Sequence, residues 1–138
     1  MNGIRVLVVD DEECVVDVLR ALIGSDPTLE FAGSATDAEG GIELALQEKP
    51  DVVLMDVRIP GGGGVHAVRE ITRRLPPTKV IALSVHEEAG SMIRMIDAGA
   101  QAYVPKADPT DEILRAIHRS VTDYGRRSSG RAPYPIGS

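Results

Sequence analysis

Aromatic residues are scarce in this chain of 138 residues, which has no tryptophan and only 3% aromatic side chains. Hydrophobic residues nevertheless make up 43% of the sequence, so aliphatic side chains must build the core. No apolar run approaches the roughly 20 residues that span a bilayer, which argues against a membrane helix. A chain of this length suits one domain.

Cysteine occurs once, at Cys14, so an internal disulfide cannot form. The first residues turn acidic too early for a secretory signal peptide. These two features favour a reducing, cytoplasmic compartment. We expect Cys14 itself to be an inert packing residue.

Charge is distributed unevenly along the chain. The net charge is −6, and residues 125–138 hold three arginines and no acids, so residues 1–124 carry −9. Such a surface does not suit nucleic acid, and we expect residues 1–124 to make no direct contact with it. Residues 125–138 are rich in Gly, Ser, Pro and Arg and lack periodicity. They are predicted to be a flexible linker or tail after a domain formed by residues 1–124.

Short apolar segments alternate five times with helix-like segments. The apolar segments are 4–10, 29–34, 51–56, 79–84 and 102–106. The first, third and fourth are nearly continuous runs of aliphatic residues, which is typical of strands covered on both faces. The alternation predicts an α/β fold with a parallel sheet and right-handed crossovers.

The segments between these strands carry apolar residues at helical spacing, and we expect each apolar stripe to lie on one helix face. The stripes are Val15, Val18, Leu19 and Leu22; Ala38, Ile42, Ala45 and Leu46; Val68, Ile71 and Leu75; Met92, Ile93 and Ile96; and Ile113, Ala116 and Ile117. The last helix has a start signal in Asp108 and Pro109. His66 and His118 fall on predicted helices, where surface or packing roles are expected.

Polar residues gather where the predicted strands end. Asp10 and Asp11 follow the first strand, Asp56 closes the third, Ser84 closes the fourth and Lys106 closes the fifth. In open α/β sheets, ligands lie beyond the carboxyl ends of the strands, at the switch point in strand order. In the order 2-1-3-4-5 the first and third strands are neighbours. Three carboxylates, one hydroxyl and one ammonium are therefore expected to converge.

Three carboxylates packed together repel one another, and a divalent cation relieves that repulsion. Mg²⁺ prefers one or two carboxylates, completed by water and phosphate oxygens. Lys106 supplies a positive charge for a phosphate oxygen, and Ser84 can donate a hydrogen bond to one. The cluster therefore predicts a site for Mg²⁺ and a phosphorylated group.

Four segments together resemble the receiver domain of two-component response regulators. They read "VLVVDDEE", "DVVLMDVRIPGGGG", "VIALSVHEE" and "GAQAYVPKADP". The portion that begins at "LSVHEE" is most similar to the NarL/FixJ branch, and the resemblance covers residues 4–121. It implies a flavodoxin-like (βα)5 fold, a three-layer sandwich around a parallel sheet of order 2-1-3-4-5.

The resemblance also implies roles for individual residues. Asp56 would accept a phosphoryl group from a sensor histidine kinase, with Mg²⁺ required. Asp10, Asp11 and Asp56 would hold the metal together with the backbone carbonyl of Arg58. Lys106 would pair with the phosphoryl group.

Switching is expected to follow phosphorylation. Ser84 would be drawn toward the phosphoryl group and Tyr103 would turn inward, changing the surface formed by helix 4, strand 5 and helix 5. Arg58 and His86 would flank the entry to Asp56, and we hypothesise that they tune the lifetime of the phosphoryl group. Such a domain catalyses only its own phosphorylation and dephosphorylation and is otherwise not an enzyme.

Several alternatives stay open at this point. They are a stand-alone receiver, a Mg²⁺-dependent phosphohydrolase with an aspartyl-phosphate intermediate, and an interaction module that keeps only the fold. The better-known phosphohydrolases place their nucleophile in an Asp-x-Asp-Gly arrangement, which "DDEEC" lacks. NarL/FixJ regulators usually append a DNA-binding domain that controls transcription, and none fits in residues 125–138. The kinase, the stimulus, the output, the phosphate lifetime and homodimer formation are not decided by the sequence.

Overall fold

A computed structural model describes residues 3–59, 63–84, 89–106 and 110–128 of the chain. Strands and helices alternate five times, as the sequence predicts. The elements are β1 (Ile4–Val9), α1 (Glu13–Gly24), β2 (Leu29–Ala35), α2 (Ala38–Glu48), β3 (Val52–Asp56), α3 (Gly63–Arg74), β4 (Lys79–Ser84), α4 (Ala89–Ala98), β5 (Ala102–Pro105) and α5 (Thr110–Ser128).

The five strands form one parallel sheet in the order β2-β1-β3-β4-β5, which confirms the predicted topology. The order changes direction between β1 and β3, so the switch point lies there. Val9 of β1 pairs with Met55 of β3. The next residues along the two strands, Asp10 and Asp56, therefore reach the same edge of the sheet.

Alternate residues of the central strands enter two separate cores, one on each face of the sheet. Leu7, Val9, Val53 and Met55 pack with α2, α3 and α4. The intervening residues of the same strands, among them Val6 and Val8, pack with α1 and α5. Burial on both faces explains the nearly continuous aliphatic runs and confirms the three-layer sandwich.

Two predicted helix faces differ from the structure. On α1 the buried residues are Val16, Leu19 and Ile23, whereas Val18 is 60% exposed. Cys14, expected to be a packing residue, is also exposed. Because α1 has apolar residues on more than one side, spacing alone did not identify the face that the sheet covers.

The apolar stripe predicted on α4 is exposed. Met92, Ile93 and Ile96 are 42%, 57% and 43% exposed, and the helix instead buries Ser91, Met95 and Ala98. The buried set is also spaced i, i+4 and i+7, but it includes a serine and an alanine. The more hydrophobic face of α4 was therefore predicted to be buried, and that prediction is wrong. The α2 and α5 stripes are buried as predicted, apart from the partly buried Leu46.

Helix α5 continues through Ser128 and thus overlaps the first four residues of the predicted tail. The first strong helix breakers that follow are Gly130 and Pro133. The predicted start signal of α5 at Asp108 and Pro109 lies outside the described residues. None of the helices described here has the length and apolar character needed to cross a bilayer.

The end of α4 depends on a glycine. Gly99 has φ +122°, and a Cβ placed there would lie 2.6 Å from Thr72 Oγ1. That hydroxyl joins α3 to the end of α4, since it lies 2.9 Å from the Val68 carbonyl and 3.1 Å from the Ala98 carbonyl. The close approach and the positive φ both require glycine.

Gly99→Ala is therefore expected to lower the free energy of unfolding by about 1–3 kcal/mol, through backbone strain and displacement of Thr72. Gly24→Ala is the matched control, because a Cβ at Gly24 would meet nothing within 4 Å. Urea unfolding of both variants measures the difference. Equal stability of the two variants would contradict the expectation.

Candidate functional site

Backbone hydrogen bonds hold the polar residues in place where the strands end. The Asp10 N–H donates to the Ala35 carbonyl at 3.0 Å, and the Lys106 N–H donates to the Ser84 carbonyl at 2.7 Å. These bonds extend the ladders by one residue beyond β1 and β5. The side chains of Asp10 and Lys106 are thus positioned by the sheet rather than by loops alone.

Three carboxylates meet at this edge, as predicted. Asp10, Asp11 and Asp56 each offer an oxygen, and these oxygens lie within 4.8 Å of one another. Asp10 is 1% exposed and Asp56 is 6% exposed, whereas Asp11 faces solvent. Two buried acids and one accessible acid fit a hard cation that keeps several waters, which is the coordination habit of Mg²⁺.

Hydrogen bonds fix the orientation of the two buried acids. The Glu12 N–H donates to Asp10 Oδ1 at 2.9 Å, closing a local Asx turn as the chain enters α1. The Arg58 N–H approaches Asp56 Oδ1 at 3.4 Å, which is a weak contact. Asp56 is therefore held less tightly than Asp10, and its carboxylate keeps capacity for further partners.

Lys106 joins the acids directly. Its Nζ lies 2.7 Å from Asp10 Oδ2 and 3.3 Å from Asp56 Oδ1, with only 10% of the side chain exposed. Burial disfavours the ammonium, but the hydrogen bond with Asp10 and the charge on Asp56 outweigh burial and raise the pKa of Lys106. The residue is thus a fixed cation in the site.

The carboxyl of Asp56 behaves differently from an ordinary surface acid. Burial, followed by the negative charge of Asp10, raises the pKa of Asp56, against the opposing effect of Lys106. One ammonium does not fully compensate this group of acids. A bound divalent cation would supply the missing positive charge.

Ser84 and Tyr103 occupy neighbouring strands. Ser84 is buried at the carboxyl end of β4, where it pairs in register with Pro105. Tyr103 is partly buried and packs against the core on the α2, α3 and α4 face. The predicted switching of these two residues stays a prediction.

Arg58 is exposed two residues after Asp56, and its role at the entry to the site stays a prediction. It lines a cleft of about 390 Å³ together with Val57, Val65, Ser91 and Arg94, among others. The contribution of Ser91 and Arg94 was missed by sequence reasoning, because α4 was interpreted only through its apolar stripe. His86 lies outside the described residues.

Residues 6–118 match the family described as the response regulator receiver domain, and the chain belongs to that family. The response regulator GacA of Pseudomonas viridiflava is 40% identical over 114 residues, which cover 83% of this chain and 53% of GacA. The chain thus spans about half the length of this relative.

Solved structures agree with this assignment. A LuxR-family two-component response regulator from Aurantimonas sp. SI85-9A1 has a TM-score of 0.83 at 29% identity, covering 88% of this chain and 87% of that one. The receiver domain of the putative response regulator NarL from Mycobacterium tuberculosis also has a TM-score of 0.83, at 26% identity. The match covers 88% of this chain and 98% of that one. The prediction of a NarL/FixJ-like receiver domain is confirmed.

The perturbed carboxyl of Asp56 predicts a specific pH dependence of stability. Its folded pKa lies above the ordinary value, so ionisation of Asp56 favours the unfolded chain. Stability contributed by the protonated form is present below the unfolded pKa and is lost as pH rises through the folded pKa. Asp56→Asn cannot ionise and so avoids this loss of stability. It is expected to raise the free energy of unfolding of the metal-free protein near pH 7–8 and to change it little near pH 3.

Urea midpoints measured across this pH range without divalent ions test the expectation. Asp97→Asn, which alters an exposed acid on α4, is the control and should change stability little at any pH. An Asp56→Asn variant that is less stable than the parent throughout would contradict the repulsion described above.

Proposed function

We propose that this receiver domain accepts a phosphoryl group on Asp56 from a sensor histidine kinase, with Mg²⁺ bound at the acidic cluster. One observation carries the proposal: a buried Asp56 carboxylate lies beside Asp10 and Asp11, with the Lys106 ammonium 3.3 Å away. Phosphoryl transfer depends mainly on positioning and on neutralisation of charge. The cluster supplies the positioning, and Lys106 together with bound Mg²⁺ would supply the neutralisation.

In the proposed transfer, a carboxylate oxygen of Asp56 attacks phosphorus while the bond between phosphorus and the kinase histidine nitrogen breaks. The electron pair of that bond leaves with the imidazole, and Asp56 becomes an acyl phosphate. Bound Mg²⁺ would be held by Asp10, Asp11, Asp56 and the Arg58 carbonyl and would neutralise phosphate charge. Lys106 would pair with a phosphoryl oxygen.

The product would change the charge at the sheet edge. A phosphoryl group adds about −1.5 to −2 charges and three acceptor oxygens. Ser84 would donate a hydrogen bond to it, and Tyr103 would turn inward on β5. Moving a population from 1:99 to 99:1 requires about 5.5 kcal/mol of preference, which a few charge-assisted hydrogen bonds can supply.

The surface formed by α4, β5 and α5 would transmit the switch. Exposed Met92, Ile93 and Ile96 give α4 an apolar face beside β5, which suits contact with an output partner. Because the matched residues make up only 53% of GacA, a fused DNA-binding output that regulates transcription in a longer protein fits the proposal. A stand-alone receiver and a homodimer are compatible with the same surface.

Arg58 and His86 would tune how long the phosphoryl group survives. Arg58 is exposed beside Asp56 and lines the cleft next to α4, which supports a role in controlling access of water. His86 is assigned from sequence position alone. Exchange of both residues should change the rate of phosphate loss without changing the site of labelling.

Treatment with acetyl phosphate and Mg²⁺ tests the central assignment. We expect one phosphoryl group per chain, located on Asp56 by peptide mapping, since that carboxylate lies beside the other two acids and within 3.3 Å of the ammonium. Asp56→Asn should abolish labelling, and the matched variant Asp97→Asn should label normally. Equal labelling of Asp56→Asn would contradict the proposal, and turnover of a generic phosphomonoester would favour a phosphohydrolase instead.

A further inference from the structure

A second polar cluster joins α5 to the turn between α1 and β2. His118 Nε2 lies 2.9 Å from Asp26 Oδ2 and 3.4 Å from Thr28 Oγ1. Asp26 Oδ1 accepts hydrogen bonds from the Thr28 N–H at 2.9 Å and the Thr28 hydroxyl at 2.6 Å. A backbone hydrogen bond connects this turn to the sheet, because the Ile4 N–H donates to the Thr28 carbonyl at 2.8 Å.

This cluster lies at the opposite end of the sheet from the acidic site. Thr28 directly precedes β2, and its carbonyl accepts from Ile4 at the start of β1. Asp10 and Asp56 lie at the carboxyl ends of their strands. The cluster therefore takes no part in the proposed phosphoryl transfer and needs an explanation of its own.

The cluster combines a permanent anion with a group that can gain a proton. Hydrogen bonds from His118 and then from Thr28 lower the pKa of Asp26 to about 2. Asp26 is therefore ionised throughout the physiological range. Protonation of the His118 imidazole turns the 2.9 Å contact with Asp26 into a full ion pair.

The elements that meet at this cluster carry other charged residues, namely Arg20 on α1, Glu30 on β2, and Arg115 and Arg119 on α5. Arg115 lies 3.7 Å from Glu112, and Arg20 stacks over the Phe31 ring at 4.7 Å. Two of the nearby cations thus have contacts of their own. Asp26 is the acid within hydrogen-bond distance of the His118 ring.

We propose that Asp26, Thr28 and His118 form a proton-responsive fastening of α5. The buried residues Ile113, Ile117 and Ser120 hold the first and middle turns of the helix at any pH. Protonation of His118 strengthens the link to Asp26 and so holds the later turns, residues 119–128, more firmly against the domain. These turns form the last part of α5, so the fastening controls how firmly the C-terminal part of the helix is held.

Amide hydrogen exchange of residues 119–128 at pH 5.5 and 8.0, corrected for intrinsic rates, tests this device. The intact chain should show about two- to fivefold greater protection at pH 5.5, the range expected of a partly exposed ion pair. Asp26→Asn should abolish that difference, because the amide keeps the shape and loses the charge. His118→Gln, which cannot titrate, should abolish it as well.

The chain contains a matched control. His66 is also 42% exposed and lies 3.2 Å from Glu39, whose side chain is 72% exposed. Glu39→Gln should leave exchange of residues 119–128 unchanged at both pH values. Thr28→Val should retain the pH effect, because it keeps the charged pair. The proposal is overturned if the pH effect survives in both Asp26→Asn and His118→Gln, or if Glu39→Gln removes it.

Discussion

Repulsion among carboxylates at one edge of the sheet is the constraint around which the site is organised. Asp10, Asp11 and Asp56 bring oxygens within 4.8 Å of one another, and two of these acids are buried. The Lys106 ammonium contacts both buried acids. Burial and the charge of Asp10 still raise the pKa of Asp56, so one cation leaves the cluster under-compensated. This imbalance supports the proposed binding of a divalent cation at the cluster.

The sheet order brings the charges together. Asp10 and Asp56 are far apart in sequence, but the adjacency of β1 and β3 puts both at the switch point. Lys106 arrives from β5 at the edge of the sheet, and its long side chain reaches the acids across the end of β4. Aliphatic residues on both faces of the strands make this frame rigid enough to hold like charges close.

Strands and strand-end residues could be predicted because both depend on short-range signals. A buried parallel strand needs a continuous aliphatic run, and an acid directly after it marks the strand end. Helix faces were harder to predict, since α1 and α4 carry apolar residues on two sides and only packing decides which side is covered. Val18 and Ile93 show this ambiguity. The short contact between Lys106 and Asp10 was also missed, because sequence position cannot show which partner a long flexible side chain selects.

Calorimetric titration of the intact chain with Mg²⁺ tests the central claim most directly. The account predicts saturable binding at one site, weakening as pH falls through the raised pKa of Asp56 because protons then compete with the metal. Asp11→Asn should sharply weaken binding, since this acid is exposed and can be changed without disturbing the core, whereas Glu13→Gln on the nearby first turn of α1 should not. Absence of binding heat, or equal binding by both variants, would contradict the account.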